Sequence, residues 1–344
     1  MPHPPTLAVL MIFRKRRADA NFSIEASFKE TLKYLHANRR IDVREFVSTH
    51  LSIGVLPRLR ALWELRRQRA EVYHITGDIH FLVLGLPGKK TLLTIHDLGF
   101  LERGRHPLSR WLLKKLWLDW PVQRARMVTA VSDATRLAIL QRTGCPPSKV
   151  VTIPTLVSDT YTRKSKVFNR ERPQILHIGL APNKNFHRHV LALAGLRCTL
   201  QIIGPLNEAQ HAHLRQHQID YRADTNLPLD AMQRAYEACD VLLFASTLEG
   251  FGMPIIEAQT VGRVVVTSGI SSMPEIAGGA ACLVDPYQVA SIRAGLERVI
   301  HEEDYRESLI TAGYRNVQRF TGQQVAQSYA QAYEKIAAGG DFAS

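Results

Sequence analysis

The chain reads as an α/β protein of two domains, each a parallel sheet with crossover helices. Its 344 residues are too many for one ordinary core and suit two. Short apolar runs alternate with helical patterns along the whole length, the rhythm of βαβ units. The run Val241-Leu242-Leu243-Phe244 then meets a two-glycine loop and a helix opened by Pro254, whose fixed φ suits a helix start. Open α/β sheets bind ligands at such strand–loop–helix junctions.

Taken in order, strands are expected near residues 6–13, 71–75, 91–95, 127–131 and 150–153 in the first half. The polar, basic stretch Thr160 to Pro173 has neither periodicity nor bulk and reads as a linker. Strands near 174–178, 199–203, 241–244, 264–267 and 281–284 follow, and Gln323 to Ile336 has the pattern of a last helix. The domains are therefore placed at 1–165 and 166–320, with a C-terminal helix in 321–344.

The apolar stretch Leu7 to Phe13 precedes its basic cluster Arg14-Lys15-Arg16-Arg17, whereas a secretory signal puts the charge first and needs a longer apolar core. It is read as the first strand. No run approaches the ~18 apolar residues of a membrane span, so any membrane contact is expected to be peripheral, on the inner face. Cys145, Cys198, Cys239 and Cys282 are far apart without CxxC spacing. That argues against a zinc site or a disulfide scaffold and points to a reducing, cytoplasmic compartment.

Charge is unevenly shared. Residues 1–172 hold 31 Lys+Arg against 14 Asp+Glu, a net of +17, and residues 173–344 hold 13 against 17, a net of −4. Such asymmetry implies a negatively charged partner, nucleic acid or anionic lipid, unless it only keeps a basic surface soluble. Two stretches sharpen the choice: Pro57 to Arg69, and Ser109 to Trp120. In the second, Leu113, Leu116, Trp117 and Trp120 recur at helical spacing with Arg110, Lys114 and Lys115 between them. An interfacial helix has this pattern, and so has a domain helix burying its aromatics.

Chemistry concentrates in Ser246-Thr247-Leu248-Glu249-Gly250-Phe251-Gly252-Met253-Pro254-Ile255-Ile256-Glu257. Gly250 and Gly252 let the backbone approach a ligand, and the helix N-terminus beyond them offers N–H groups to an anion. Glu249 could accept hydrogen bonds from sugar hydroxyls, and Glu257, one turn into the helix, could hold a ribose diol. A plain acid pair at a helix start would also satisfy the dipole.

The spacing resembles the Glu-x7-Glu element of the retaining family 4 nucleotide-sugar glycosyltransferases, read as E-G-F-G-x-P-x-x-E and matched at every fixed position by residues 249–257. Tyr236-Glu237-Ala238-Cys239-Asp240-Val241 is similar to the lead-in of that family, and Val264 to Ser268, Met273-Pro274-Glu275 and Leu283 to Pro286 continue the pattern. The resemblance spans about residues 72–315. It implies a GT-B fold, two facing Rossmann-like domains with a cleft between them, and a final helix that returns to the first domain.

The resemblance carries further residues with it. In Ile178-Gly179-Leu180-Ala181-Pro182-Asn183-Lys184-Asn185 it gives Lys184 the stabilisation of the leaving diphosphate, and it places Gly179 and Asn185 at the donor. Thr94-Ile95-His96-Asp97 resembles the family T-x-H-D element, which sets His96 close to the transferred sugar and gives Asp97 a sugar or acceptor contact. A polar cap at a strand end would use the same two residues. Ser132 in Val131-Ser132-Asp133-Ala134-Thr135 reads as a helix cap. Glu249 then orients the sugar, Glu257 holds the nucleotide ribose, and Gly250, Phe251 and Gly252 shape the loop.

Two departures stand out. Leu180 occupies a position where many relatives carry an arginine, and Arg14 to Glu25 replaces a glycine-rich loop. The basic residues Arg14 and Arg16 could supply the missing charge. With no Asp-x-Asp motif, neither a metal nor another cofactor is expected, and the nucleotide diphosphate sugar is a substrate. The resemblance thus implies transfer of a UDP- or GDP-linked hexose to a glycan or lipid-linked acceptor, in cell-surface polysaccharide synthesis. A sugar-nucleotide epimerase or phosphorylase of the same architecture is the alternative. A nucleic-acid-binding protein would have no use for the Glu249–Glu257 pair, so no nucleic-acid partner is expected. The loops around Gly204-Pro205 and Tyr221 to Pro228 are candidates for base selection.

Overall fold

The computed structural model describes residues 6–15, 23–49, 54–102 and 106–339. Two compact units divide the chain, one of residues 1–156 with 322–344, the other of 157–321. The first holds a six-stranded parallel sheet of β1 (Leu7–Phe13), β2 (Ile41–Val47), β3 (Val72–Ile75), β4 (Thr91–Ile95), β5 (Met127–Ala130) and β6 (Val150–Thr152) in the order β2-β1-β3-β4-β5-β6. The second holds β7 (Gln174–Ile178), β8 (Thr199–Ile203), β9 (Tyr221–Asp224), β10 (Val241–Phe244), β11 (Val264–Ser268) and β12 (Cys282–Val284), ordered β12-β11-β10-β7-β8-β9. Renumbered within its own unit this is 3-2-1-4-5-6, the doubly wound order, and its strand order reverses between β7 and β10. In the first sheet the reversal falls between β1 and β3.

Ten strands lie where the apolar runs predict them, and two, β2 and β9, were not predicted. Both are sheet edges. In β2, Ile41, Val43 and Phe46 are buried while Asp42, Arg44 and Glu45 are exposed, and β9 is the polar Tyr-Arg-Ala-Asp. Edge strands need only one apolar face, so they show no continuous run. Part of the segment expected as a base-selecting loop is thus β9, where the Tyr221 hydroxyl sits 2.7 Å from His211 Nδ1.

Residues 160–173 lie within the second unit and are tied to it. The Lys164 N–H donates to Val261 O at 3.1 Å, Arg263 donates to Lys164 O at 3.0 Å, and Lys166 pairs with Asp240. The last helix, Gly322–Ala337, belongs to the first unit, where Val325, Tyr329, Tyr333 and Ile336 join the core formed by β1, β3, β4 and the helix Ser23–His36. A polar chain runs through that apolar contact. His74 on β3 meets the Tyr333 hydroxyl at Nδ1 and the Thr94 hydroxyl at Nε2, both at 2.7 Å, and Thr94 meets Thr129 at 2.6 Å. Burial lowers the His74 pKa to about 3, so the ring stays neutral.

The amphipathic stretch at Ser109 to Trp120 forms a helix with an interruption. Pro107–Lys114 is α-helical, Lys115–Asp119 is a π turn, and Trp120–Arg124 is α-helical again. A π turn inserts a residue and rotates everything beyond it. Leu113, Leu116 and Trp117 are half-buried, whereas Trp120 is exposed along with Leu108, Trp111 and Leu112. The face therefore turns Leu113, Leu116 and Trp117 toward the core, as a domain helix burying its aromatics would, and leaves Trp120 outside. Its lysines are committed as well, Lys114 and Lys115 pairing with Asp119 at 2.6 and 2.9 Å. His80 Nδ1 donates to the carbonyl of Trp117 at 2.7 Å, holding the π turn in place.

Tyr333→Phe leaves one His74 nitrogen unpartnered in the core and should lower the unfolding free energy by about 1–3 kcal/mol, read by urea denaturation. His74 should also make stability fall in acid. The unfolded imidazole takes its proton near pH 6.5 and the folded one only near 3, so the contribution is complete above about 6.5 and is lost as pH drops through that window. Melts of the wild type and a His74→Phe variant across pH 7 to 4 measure it.

Candidate functional site

In the second unit the carboxyl ends of β7 and β10 flank the reversal of strand order, and most of the predicted donor residues gather there. Gly179 follows β7 with φ +84°, and a Cβ at this position would press on Lys184 Cε at 3.1 Å and Cγ at 3.2 Å. Lys184 ends the short 3-10 turn Pro182–Lys184. From there its Nζ reaches Glu249 Oε1 at 2.7 Å and lies 4.6 Å from the centre of the Phe244 ring. Two residues singled out 65 positions apart thus form one ion pair.

Asn183 and Asn185 hold the two loops together, and only the second was predicted at the site. Asn183 Nδ2 donates to Leu248 O at 2.8 Å and to Glu249 Oε1 at 3.4 Å, and its carbonyl accepts the Thr247 N–H at 2.8 Å. Asn185 is buried in the left-handed region, with φ 59°. Its Nδ2 donates to Ala245 O at 3.0 Å and Pro286 O at 2.7 Å, and its Oδ1 accepts from Arg188 at 3.1 Å. This side chain is engaged with the protein itself.

Glu249 and Phe251 are fixed through their backbones. Ser271 and Ser272 hydroxyls donate to Glu249 O at 2.7 and 3.0 Å, and Ser272 also donates to Phe251 O at 2.8 Å. The Phe251 ring is buried edge-on against Phe320, with centroids 5.6 Å apart. Gly250 lies in the bend between them. Gly252 has φ +106° and precedes the helix Met253–Val261, which carries Glu257. No sequence signal marked Ser271 or Ser272, because single serines after a strand are common. Leu180 lies against Gly204, where a Cβ would meet its Cδ1 at 3.1 Å. An apolar contact therefore occupies the position directly after the turn glycine.

Glu257 is held by two tyrosines. Tyr236 donates its hydroxyl to Glu257 Oε2 at 2.5 Å, and Tyr161 hydrogen-bonds the same carboxyl. The two phenol rings meet edge to face, 5.5 Å apart. Burial raises the Glu257 pKa to about 7 against the pull of both tyrosine hydrogen bonds, and it drives both phenols upward. Tyr236 belongs to the quoted lead-in motif, whereas Tyr161 sits in the stretch read as linker and could not have been found by spacing.

Beneath the junction lies a buried histidine pair. His189 Nε2 donates to Ala245 O at 3.2 Å, which leaves Nδ1 as acceptor for the Nδ1–H of His177 at 3.0 Å. Burial holds both neutral, with the His177 pKa lowered to about 4.

In the first unit His96 follows β4, and its Nε2 donates to Thr76 O at 2.7 Å. Burial lowers its pKa, so the ring is neutral with Nδ1 as acceptor. Ser27, Phe28, Thr31, Val131 and Tyr329 line a narrow crevice with it. Asp97 is exposed and accepts the Gly99 N–H at 2.8 Å, an Asx turn that caps its own loop. Ser132 accepts the Thr135 N–H at 3.1 Å, the cap expected of it. Arg14 follows β1 and pairs with Glu25 and with Asp78, the latter at 3.2 Å. Its charge is met by these two carboxylates inside the first unit. Arg16 lies outside the described residues.

Comparison with known proteins places the chain in a family. Residues 158–316 match the model "Glycosyl transferases group 1", and residues 16–161 match "Glycosyltransferase Family 4". The chain is 26% identical to O-antigen chain mannosyltransferase B of Escherichia coli over 80% of its own length and 77% of that protein. It is 27% identical to the MMP alpha-(1->4)-mannosyltransferase of Mycolicibacterium hassiacum over 87% and 80%. Among solved structures, Anabaena HepE in complex with UDP and glucose superposes with a TM-score of 0.73 at 15% identity, covering 96% of this chain and all of that one.

Because the Tyr236 hydroxyl favours the ionised carboxylate, Tyr236→Phe should move Glu257 further up from about 7. In native stability this group acts oppositely to the histidines. Its raised pKa favours the fold below about 4.5, and that advantage disappears as pH rises through 7. A titration of the 13C-labelled glutamate side chains, wild type against Y236F, measures the shift.

Proposed function

Because the chain belongs to the group 1, family 4 glycosyltransferases, we propose that it is a retaining enzyme. In this reading it transfers a hexose from a nucleoside diphosphate sugar to a glycan or lipid-linked acceptor. The Lys184–Glu249 ion pair at the strand-order reversal, with Glu257 one helical turn beyond it, carries the proposal. A cation, a sugar-facing carboxylate and a ribose-facing carboxylate are the groups a nucleotide sugar needs. Mannose is the hexose named in both curated relatives, which supports a mannosyl donor. The first of those names also supports a polysaccharide acceptor, and with it a place on the inner face of the membrane.

The chemistry assigned to each group follows from charge. As the bond from anomeric carbon to diphosphate oxygen lengthens, negative charge grows on the diphosphate, and Lys184 with the N–H groups opening Met253–Val261 stabilises it. The sugar becomes oxocarbenium-like, oriented by Glu249. The acceptor oxygen bonds the anomeric carbon on the face the diphosphate leaves and gives its proton to the departing phosphate oxygen, which returns the starting anomeric configuration. Glu257 holds the ribose hydroxyls while Tyr161 and Tyr236 fix its carboxylate. His96, neutral with Nδ1 as acceptor, and Asp97 are assigned to the transferred sugar or the acceptor on the family pattern.

Thermal shift against UDP, GDP, ADP and their sugar conjugates tests the donor. One nucleotide series should raise the melting temperature by mass action. Lys184→Ala and Glu257→Ala should each weaken that binding by about ten-fold or more, the loss of a charge-assisted hydrogen bond. No response to any nucleotide would sink the reading. Transfer should persist in excess chelator, and a chelator-sensitive rate would show that a metal shares the diphosphate charge. Proton NMR of the fresh product should show the anomeric configuration of the donor.

A further inference from the structure

Two helices of the first unit carry apolar side chains that the fold leaves uncovered. On Val55–Arg66, Leu56, Leu59 and Trp63 form one stripe at helical spacing, and on Pro107–Lys114, Leu108, Trp111 and Leu112 form another. Leu56, Leu59, Trp63, Leu108 and Trp111 are between 54% and 66% exposed, far more than amphipathic helices packed on a core leave open. Arg58 joins the helices, its guanidinium lying 4.5 Å from the Trp117 ring and 5.8 Å from Phe81. Trp117 lies in the π turn that continues the second helix, so the two helical segments are neighbours in this unit.

Charge identifies what this helix pair meets. Arg60, Arg66, Arg67 and Arg110 are exposed beside the apolar side chains, and Arg67 stacks on Trp63 at 3.4 Å. The two helices carry a single carboxylate, Glu64, and it accepts from the Thr49 N–H at 3.2 Å and the Ser48 hydroxyl at 3.3 Å. Asp119, in the π turn after the second helix, is buried and matched by two lysines. We infer that this helix pair docks on an anionic phospholipid surface, its leucines and tryptophans entering the headgroup boundary and its arginines meeting lipid phosphates. Exposed leucines have no counterpart on a nucleic-acid backbone, where arginine alone would serve. This surface lies outside the donor site and stands independently of the transferase reading.

Flotation of the full chain with vesicles tests it, since neither donor nor acceptor is needed. The wild type should float with phosphatidylcholine vesicles containing roughly one-third phosphatidylglycerol, be released by high salt, and remain behind with phosphatidylcholine alone. Trp63→Ser with Trp111→Ser, and separately Arg60→Glu with Arg67→Glu, should each reduce retention about ten-fold. The melting temperature and nucleotide response should be unchanged, because these side chains are exposed. Equal retention by both vesicle types, retention by neither, retention indifferent to both variants, or capture of duplex DNA in place of vesicles would each overturn the inference. A protein that floats but ignores nucleotides would refute the donor reading and leave this one standing.

Discussion

The carboxamide of Asn185 ties together three strand ends, and the candidate donor site depends on it. β7 delivers the chain into the turn that contains it, and its Nδ2 binds the carbonyls that follow β10 and β12. Ala245 O also accepts from His189, so this one carbonyl is anchored from two directions. A residue in the left-handed region with both amide hydrogens committed is costly to form and hard to displace. Lys184 precedes it by one position and Glu249 follows Ala245 by four. Their 2.7 Å contact therefore depends on a backbone frame that Asn185 closes.

The polar groups behind that frame are arranged to remain uncharged. His177 and His189 share one proton path ending at Ala245 O, and in the first unit His74 is bonded at both ring nitrogens. Neutral, hydrogen-bonded imidazoles add rigidity without the desolvation penalty of buried charge. Glu257 obeys the same rule from the acidic side. Two phenols supply hydrogen bonds to a carboxyl that burial alone would keep protonated, so its charge state is set by the balance of the two effects.

Legibility in the sequence followed the physics of each element. Central strands were visible because both faces are buried and they carry a continuous apolar run, Val241 to Phe244 in β10 and Val264 to Val266 in β11, whereas the edge strands β2 and β9 lack that run. Glu249 and Glu257 were singled out by their spacing and Lys184 by the resemblance of its turn to a family motif, and the structure pairs Lys184 with Glu249. Asn183, Ser271, Ser272 and Tyr161 were not, since each acts through a tertiary contact that no local spacing encodes. In the amphipathic face at residues 113–120, Trp120 alone of the four apolar positions is exposed, for a definite reason. Helical periodicity assumes 3.6 residues per turn, and the π turn at Lys115–Asp119 breaks that assumption midway.

Net charge located function poorly, and the structure shows why. Much of the +17 of the first half is consumed by the fold. Arg14 meets Glu25 and Asp78, Lys114 and Lys115 meet Asp119, and Arg124 closes over the carbonyls of Val83 and Leu86. Arg136 and Lys149 likewise bind the carbonyls of Val150 and Gln123. Cations used as caps on backbone oxygens contribute to composition and little to any outward field. What distinguishes Arg60, Arg66, Arg67 and Arg110 is their place beside uncovered leucines and tryptophans. Coincidence of exposed charge with exposed apolar surface, more than the total of either, is the feature that marks a partner.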